Sequence, residues 1–172
     1  MQQPIVISGA GILGCYISCA LSLQGINSIV LEKKDDEVED SVRTITLNPF
    51  SKNLLDKIGI ENDYSMINKM EVKDFDGTGK IVFKSSEIGM DHLAYVSDFT
   101  TLLMAVRKKA SEKILYKEEI IAIDNKGDLN EVTLSSGKVI KTSLIISSDG
   151  KNSKLANKIP KSDKDYCQTA LT

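Results

Sequence analysis

The sequence predicts an α/β fold in which a mostly parallel sheet is interrupted by antiparallel strands. Three observations carry this prediction. Residues 4–8, PIVIS, are a short β-rich apolar run ending at glycine, and a helix-length run (12–24) and a second apolar run, NSIVLE (27–32), follow directly. A strand–helix–strand unit this short forces a parallel pair with a right-handed crossover. Residues 70–84, MEVKDFDGTGKIVFK, alternate apolar and polar on both sides of Asp76-Gly77, a hairpin signature foreign to a βα rhythm. Leu144-Ile145-Ile146 before SSDG then returns to the pattern of a strand buried on both faces.

In order along the chain, the first strand ends at Gly9, and the helix over 12–24 stops at Gly25. That helix is apolar nearly all round with small residues Ser18, Cys19, Ala20 and Ser22, which predicts close packing on a sheet and cover on its other side. A polar loop follows. Residues 49–59 form a helix with Leu54, Leu55 and Ile58 on one face and a stop at Gly59. The hairpin of 70–84 belongs to a second layer. Residues 98–110, DFTTLLMAVRKKA, form a helix capped by Asp98, with Phe99, Leu102, Leu103 and Val106 inward and three terminal cations that suit its dipole. Strands are expected at 113–124, 131–135 and 139–150; the first two and the start of the third make an antiparallel meander. A short helix near 153–158 and an alternating stretch, YCQTALT (166–172), complete the chain.

At 172 residues the length suits one domain plus part of a second. With 22 basic against 24 acidic side chains the net charge is −2, so no summed field draws in nucleic acid or an anionic membrane, and binding has to be argued from sites. The three cysteines make no CxxC pair and His92 is the lone histidine, which leaves a metal site without ligands. Cys15 and Cys19, one helical turn apart, read as small buried packing residues in a reducing compartment. Residues 2–31 carry no charge, but no cation precedes them and Gly9, Gly11, Gly14, Gln24, Gly25 and Asn27 break the run short of the roughly 20 residues a span needs. Export is the minor alternative.

The first turn reads Gly9-Ala10-Gly11-Ile12-Leu13-Gly14, the G-x-G-x-x-G spacing of a dinucleotide fingerprint. Gly9 allows the tight turn, Gly11 lets a pyrophosphate approach the backbone, and Gly14 lets helix and strand pack closely, with the helix N-terminus facing the phosphates. Alone, the spacing also fits a purely structural turn. Glu32 strengthens the functional reading, because a carboxylate ending the second strand can accept hydrogen bonds from both hydroxyls of an adenosine ribose, and it disfavours a 2′-phosphate. Taken singly, Glu32 also fits a solvated acid in EKKDDEVED. As the first charge after the strand, followed by Lys33, it stands apart from Asp35, Asp36, Glu37, Glu39 and Asp40 in the loop. Asp149-Gly150 places a carboxylate at the C-terminal end of a parallel strand, where open α/β sheets hold ligands; a type I turn is the bland alternative.

GAGILG (9–14), LEK (31–33), Arg43 in SVRTITLNP, LAYVSDFTTLL (93–103), LIISSDGKNS (144–153) and YCQTAL (166–171) together resemble the FAD-dependent aromatic hydroxylases, specifically the ubiquinone-biosynthesis hydroxylases that act on polyprenyl phenols. The resemblance spans almost the whole chain. It implies an FAD/NAD(P)-binding Rossmann-like parallel sheet with an inserted antiparallel β-meander and the start of a mixed-sheet substrate domain. Residues 1–60 and 98–159 would form the nucleotide-binding segments of one FAD-binding domain, and 66–97 and 163–172 parts of the substrate domain. Flavin is implied over nicotinamide because a nicotinamide domain continues in regular βαβαβ order, whereas this chain leaves for a hairpin and a meander.

By the same resemblance, Gly9, Ala10, Gly11, Ile12, Leu13, Gly14, Glu32 and Lys33 would hold FAD. Asp149 and Gly150 would lie where FAD and NAD(P)H are both held, and Arg43 would contact the FAD phosphate and ribityl region. A surface salt bridge is the rival role for Arg43. Complete enzymes of this kind reduce FAD with NAD(P)H and transfer one oxygen atom to a phenol ring; the cofactor does that chemistry, so no catalytic side chain is expected. The chain departs from the family at Ala156, where arginine is frequent, and at Phe99, where a polar or basic residue is common. Family members are roughly twice this length, with a ribityl-binding Gly-Asp motif that has no counterpart here. The expectation is an N-terminal part that binds FAD weakly and turns over nothing alone, with a second polypeptide as the possible source of the missing half. A non-catalytic remnant, half of a split enzyme, and an FAD-dependent isoprenoid-lipid reductase remain alternatives. Cytoplasmic placement is expected, with peripheral contact at the inner membrane only through a polyprenyl substrate.

Overall fold

The computed structural model describes residues 3–38, 42–150, Ser153 and Leu155. Strand β1 (Ile5–Ser8) leads through the glycine turn into helix α1 (Ile12–Leu23) and strand β2 (Ser28–Glu32). Next come β3 (Thr44–Leu47), α2 (Pro49–Lys57), β4 (Ser65–Ile67), the hairpin β5 (Lys69–Lys73) and β6 (Lys80–Lys84), β7 (Ala94–Asp98) and α3 (Phe99–Ala110). The described chain ends with β8 (Ile114–Tyr116), β9 (Ile120–Asn125), β10 (Asn130–Leu134), β11 (Val139–Thr142) and β12 (Ile145–Ser147).

The parallel sheet runs in the order β12-β1-β2-β8. Strand β1 therefore has β2 on one side and the distant β12 on the other, with all pairings parallel. The order of strands reverses between β1 and β12, and at such a reversal a crevice opens beyond the carboxyl ends of the strands. Alternation within each strand divides the core into two layers. Ile7 and Val30 point into a cluster with Cys15, Leu102, Val106 and Ile114, so α1 and α3 cover that face. Val6 and Leu31 point the other way, against Val132, Leu134 and Ile140 of the antiparallel meander β9-β10-β11. Both faces of the sheet are thus closed, as an apolar parallel sheet requires.

Helix ends follow local chemistry. Asn48 accepts the Ser51 N–H at 2.7 Å and Pro49 occupies the first turn of α2, where a missing N–H costs nothing. Asp98 accepts the Thr101 N–H at 2.7 Å, a bond that holds its carboxyl below the usual range. On α1, Gly14 and Ser18 face the sheet, and the buried Ser18 hydroxyl meets that of Ser28 at 2.8 Å.

Four expectations need correction. The stretch 113–124 is two strands: β8 joins the parallel sheet beside β2, and Lys117, with φ 59°, turns the chain into the meander strand β9. The loop after β2 contains strand β3, which pairs with β7 in an antiparallel sheet that also holds β4; β3 and β4 are two strands for which the sequence offered no reading. The outer side of α1 is only partly covered, with Leu13 and Leu23 exposed. The hairpin loop is wider than an Asp-Gly dipeptide, its first bond running from the Asp74 N–H to the Gly79 carbonyl. Met70, Val72, Ile81 and Phe83 share one exposed face of that hairpin. The short helix near 153–158 and the segment 163–172 lie outside the described residues, apart from Ser153 and Leu155. Among the described residues, no helix is long and apolar enough to cross a membrane.

Cys15 is fully buried, and burial pushes its thiol up to about 12; Cys19 is raised for the same reason. A protonated thiol is not a nucleophile. Native protein treated with iodoacetamide at pH 8 is expected to leave Cys15 and Cys19 unmodified, both reacting after denaturation, as peptide mass mapping would read. Modification of Cys15 before unfolding would contradict the packing described here.

Candidate functional site

At the carboxyl ends of β1 and β12 a crevice of about 370 Å³ opens, in the size range of small-molecule sites. Its walls come from three sources: Ser8, Gly9 and Gly11 of the first turn, Glu32, Lys33 and Lys34 after β2, and Ser148, Asp149 and Gly150 after β12. Ile120 and Leu155 add apolar surface, and Arg107 reaches it from α3. A larger hollow of about 850 Å³ lies between α1, α3 and the residues after α2, away from the strand ends. The smaller crevice is the candidate site, because polar groups from the two central strands converge there.

The turn is shaped by its glycines. Gly9 has φ 102°, a left-handed value, and its N–H binds the Leu31 carbonyl at 2.7 Å, tying the turn to β2. A β-carbon on Gly14 would run into the Gly9 carbonyl and lie 2.6 Å from Ser148 Oγ. That hydroxyl is itself fixed, donating to the carbonyls of Ser8 and Gly9 at 2.9 and 3.1 Å. Around Gly11, by contrast, a β-carbon would meet nothing within 4 Å. Gly11 caps α1 with no side-chain bond, and the first turn of α1 holds no acid. The leading N–H groups of a helix lack intrahelical partners and carry the positive end of its dipole, so open space there fits an anionic group.

Glu32 turns inward from the end of β2. One carboxylate oxygen accepts the Ala10 N–H at 3.0 Å, and the other accepts the Lys34 N–H at 3.1 Å. Its side chain is 12% exposed, so it is not one of the solvated acids of the loop that follows. Asp149 receives the Ser147 hydroxyl at 2.6 Å, and Ser147 also meets the Ser153 hydroxyl at 2.8 Å, which closes the turn after β12. Gly150 follows with φ 78°.

The structure thus brings Gly9, Gly11, Glu32, Lys33, Asp149 and Gly150 to one crevice, while Ala10 is buried behind it with its N–H bonded to Glu32, and Gly14 is buried against Gly9 and Ser148. Ile12 is half-buried on the first turn of α1, and Leu13 points outward with 60% of its surface exposed. Arg43 is placed elsewhere: it precedes β3, its carbonyl accepts the Phe99 N–H at 3.0 Å, and its guanidinium stacks over the Phe99 ring at 4.8 Å from the centroid. Phe99, the aromatic departure noted in the sequence, is therefore the platform of that cation.

Arg107 is the residue sequence reasoning missed. It was expected among three cations complementing the dipole of α3. Instead its Nε donates to the Ala10 carbonyl at 2.9 Å, and Nη2 lies 3.5 Å from the Glu32 oxygen that accepts the Ala10 N–H. The available signal was helical period: Leu103, Arg107 and Ala110 recur at spacings of four and three, which puts the arginine on the buried stripe. Ser147 and Ser148 were quoted only as part of a motif, although their hydroxyls fix the second turn.

The space over Gly11, the anion-favouring helix end and the inward carboxylate fit the adenosine diphosphate part of a dinucleotide. Comparisons with known proteins agree. The family described as FAD binding domain matches residues 2–168. The chain is 26% identical to the ubiquinone biosynthesis monooxygenase COQ6 of Danio rerio, covering 97% of this chain and 40% of that protein. It is 28% identical to the 3-demethoxyubiquinol 3-hydroxylase of Escherichia coli, covering 90% of this chain and 43% of the relative. The chain therefore spans about two fifths of the length of these curated relatives. Among solved structures, a variant of PqsL from P. aeruginosa superposes with a TM-score of 0.79 at 20% identity, over 96% of this chain and 48% of that one. The p-nitrophenol 4-monooxygenase PnpA of Pseudomonas putida gives 0.74 at 17% identity, over 91% and 43%. At these identities the structures speak for the fold alone. With a parallel sheet open at its switch point, glycines cleared for a pyrophosphate and nearly the whole sequence matched, the chain belongs to the FAD binding domain family.

Proposed function

We propose that this chain supplies the adenylate-binding part of the flavin site in an FAD-dependent monooxygenase that hydroxylates a polyprenyl phenol in ubiquinone biosynthesis, with NAD(P)H as reductant. One observation carries the reading: the Glu32 carboxylate, held at the rim of the Gly9–Gly14 turn, faces a crevice built at the sheet's switch point. The names of the two curated relatives support the reaction class and the substrate class.

Bound FAD would supply the redox chemistry, taking electrons from the reductant and activating oxygen. The protein's own residues bind and orient. Backbone N–H groups at the start of α1 would meet the pyrophosphate, and Gly11 leaves room for it. Glu32 would accept hydrogen bonds from the ribose hydroxyls. Asp149, fixed by Ser147, would present its remaining oxygen toward the cofactor at the end of β12. Ile120 and Leu155 offer apolar cover on the crevice wall. A polyprenyl tail partitions into a bilayer, so peripheral membrane contact at a cytoplasmic face would accompany that substrate, and a second polypeptide could complete the substrate pocket.

Fluorescence titration tests the reading. FAD and ADP are each expected to bind the 172-residue chain, with FAD only weakly, and NAD(P)H-driven oxygen consumption is expected to be absent without further polypeptide. Failure of both ligands to bind at millimolar concentration would overturn the proposal.

A further inference from the structure

We propose that Arg107 is a positioning residue whose fork locks the Glu32 carboxylate, and that it thereby sets the preference of this site for ribose over 2′-deoxyribose. The inference rests on the dinucleotide reading above. It adds a residue from α3 to a site whose other polar groups come from the ends of strands.

The geometry is a closed ring of three contacts. The Ala10 N–H donates to one Glu32 oxygen at 3.0 Å, Arg107 Nε donates to the Ala10 carbonyl at 2.9 Å, and Arg107 Nη2 lies 3.5 Å from the same Glu32 oxygen. The second carboxylate oxygen is held by the Lys34 N–H at 3.1 Å. Both side chains are 12% exposed. From beneath, the Tyr116 ring lies 5.8 Å from the guanidinium carbon, and Tyr116 is the register partner of Glu32 across β2 and β8. The arginine is therefore gripped by a ring, a carbonyl and a carboxylate.

A glutamate side chain has three rotatable bonds, whereas reading two neighbouring hydroxyls requires its carboxylate plane to stay fixed. Oxygens have spare lone pairs after one N–H bond each, so the acid can still accept from a sugar. What the ring of contacts supplies is orientation. A planar fork holds a carbonyl and a carboxylate in one fixed plane, whereas the three N–H donors of a lysine ammonium rotate on a flexible stem and fix no carboxylate plane. Stability alone does not call for such a cation, since apolar replacement of buried ion pairs is often neutral for folding.

The experiment compares ADP with 2′-deoxy-ADP by calorimetry on wild type, Arg107→Met, Arg107→Lys, Glu32→Gln and the double variant Glu32→Gln with Arg107→Met, with thermal unfolding recorded for each. A hydrogen bond to a charged group is worth roughly ten- to a hundredfold in affinity, so wild type is expected to favour ADP by about that factor. In Arg107→Met and Arg107→Lys the ratio is expected to fall to within about threefold, as in Glu32→Gln, with no further fall in the double variant. Equal weakening of both ligands with the ratio preserved, in either arginine variant, would overturn the inference, because a merely structural role or a direct phosphate contact predicts that pattern. A wild-type ratio near one would overturn it as well. Should Arg107→Met not fold, Arg107→Lys decides alone. Absence of ADP binding to wild type would instead strike the dinucleotide reading itself, a different result from a preserved ratio.

Discussion

Alanine at Gly14 is expected to destabilise the strand–helix unit strongly, whereas alanine at Gly11 is expected to leave the fold intact and weaken nucleotide binding on the order of a hundredfold. The two positions belong to one fingerprint, yet their surroundings differ. At Gly14 the added carbon meets the Gly9 carbonyl, then Ser148 Oγ at 2.6 Å and the Gly9 carbonyl carbon at 3.2 Å. Two of these are backbone atoms of a turn pinned by the bond from the Gly9 N–H to Leu31, so they cannot step aside without moving β1 against β2. Overpacking commonly costs about 1–3 kcal/mol and more where backbone must shift, so a loss of at least about 3 kcal/mol is expected. Against a total of about 5–15 kcal/mol, that is a large share of stability. Around Gly11 the same carbon meets nothing, and φ −75° with ψ 179° is open to any residue. A methyl group there occupies the space a phosphate needs. Losing one charge-assisted bond to backbone N–H costs about 1.5–3 kcal/mol, so affinity for FAD or ADP is expected to drop on the order of a hundredfold. Circular dichroism melts and ligand titration separate the two outcomes. Wild-type affinity in Gly11→Ala would mean that no phosphate comes near this turn.

This division of labour among glycines was legible in the sequence, because spacing, strand, helix and terminal acid came in one local order. The same holds for the β1-α1-β2 unit, both long helices and the meander, each announced by its own periodicity and turn residues. What stayed hidden depends on partners far along the chain. Strands β3 and β7 pair Thr44 with Asp98, with no connecting turn to announce them, and each has only four or five residues. The break between β8 and β9 rests on Lys117 in a left-handed conformation, where a glycine would have marked it. Arg107 was concealed by company: beside Lys108 and Lys109 it read as a solvated helix end, and only the fold shows it bonded to the Ala10 carbonyl. Arg43 was legible only through the family motif, since nothing in its local sequence announces the Phe99 ring over which its guanidinium lies.

Removing the Glu32 carboxylate is expected to be the most damaging change that leaves the glycine turn untouched. In Glu32→Ala the Ala10 N–H and the Arg107 guanidinium lose their shared acceptor, and the Lys34 N–H loses its own. Breaking a fully buried ion pair costs about 3–5 kcal/mol; with each side chain 12% exposed and the contact at 3.5 Å, a loss of about 1–3 kcal/mol is expected. Ligand affinity suffers separately, because both ribose hydroxyls lose their acceptor, and a drop of about ten- to a hundredfold for ADP is expected. Glu32→Gln divides these effects. It retains shape and one acceptor oxygen but turns an amide N–H₂ toward either the Lys34 N–H or the Ala10 N–H and guanidinium, so affinity should fall nearly as far while the melting temperature falls less. Asp36→Asn and Glu37→Gln provide the control, since both acids are exposed in the loop just beyond, and surface changes of this kind usually stay within about 0.5 kcal/mol. If charge alone attracted or repelled the nucleotide, neutralising any of the three would shift affinity alike. A loss confined to position 32 would instead trace recognition to the carboxylate that β2 carries to the edge of the crevice.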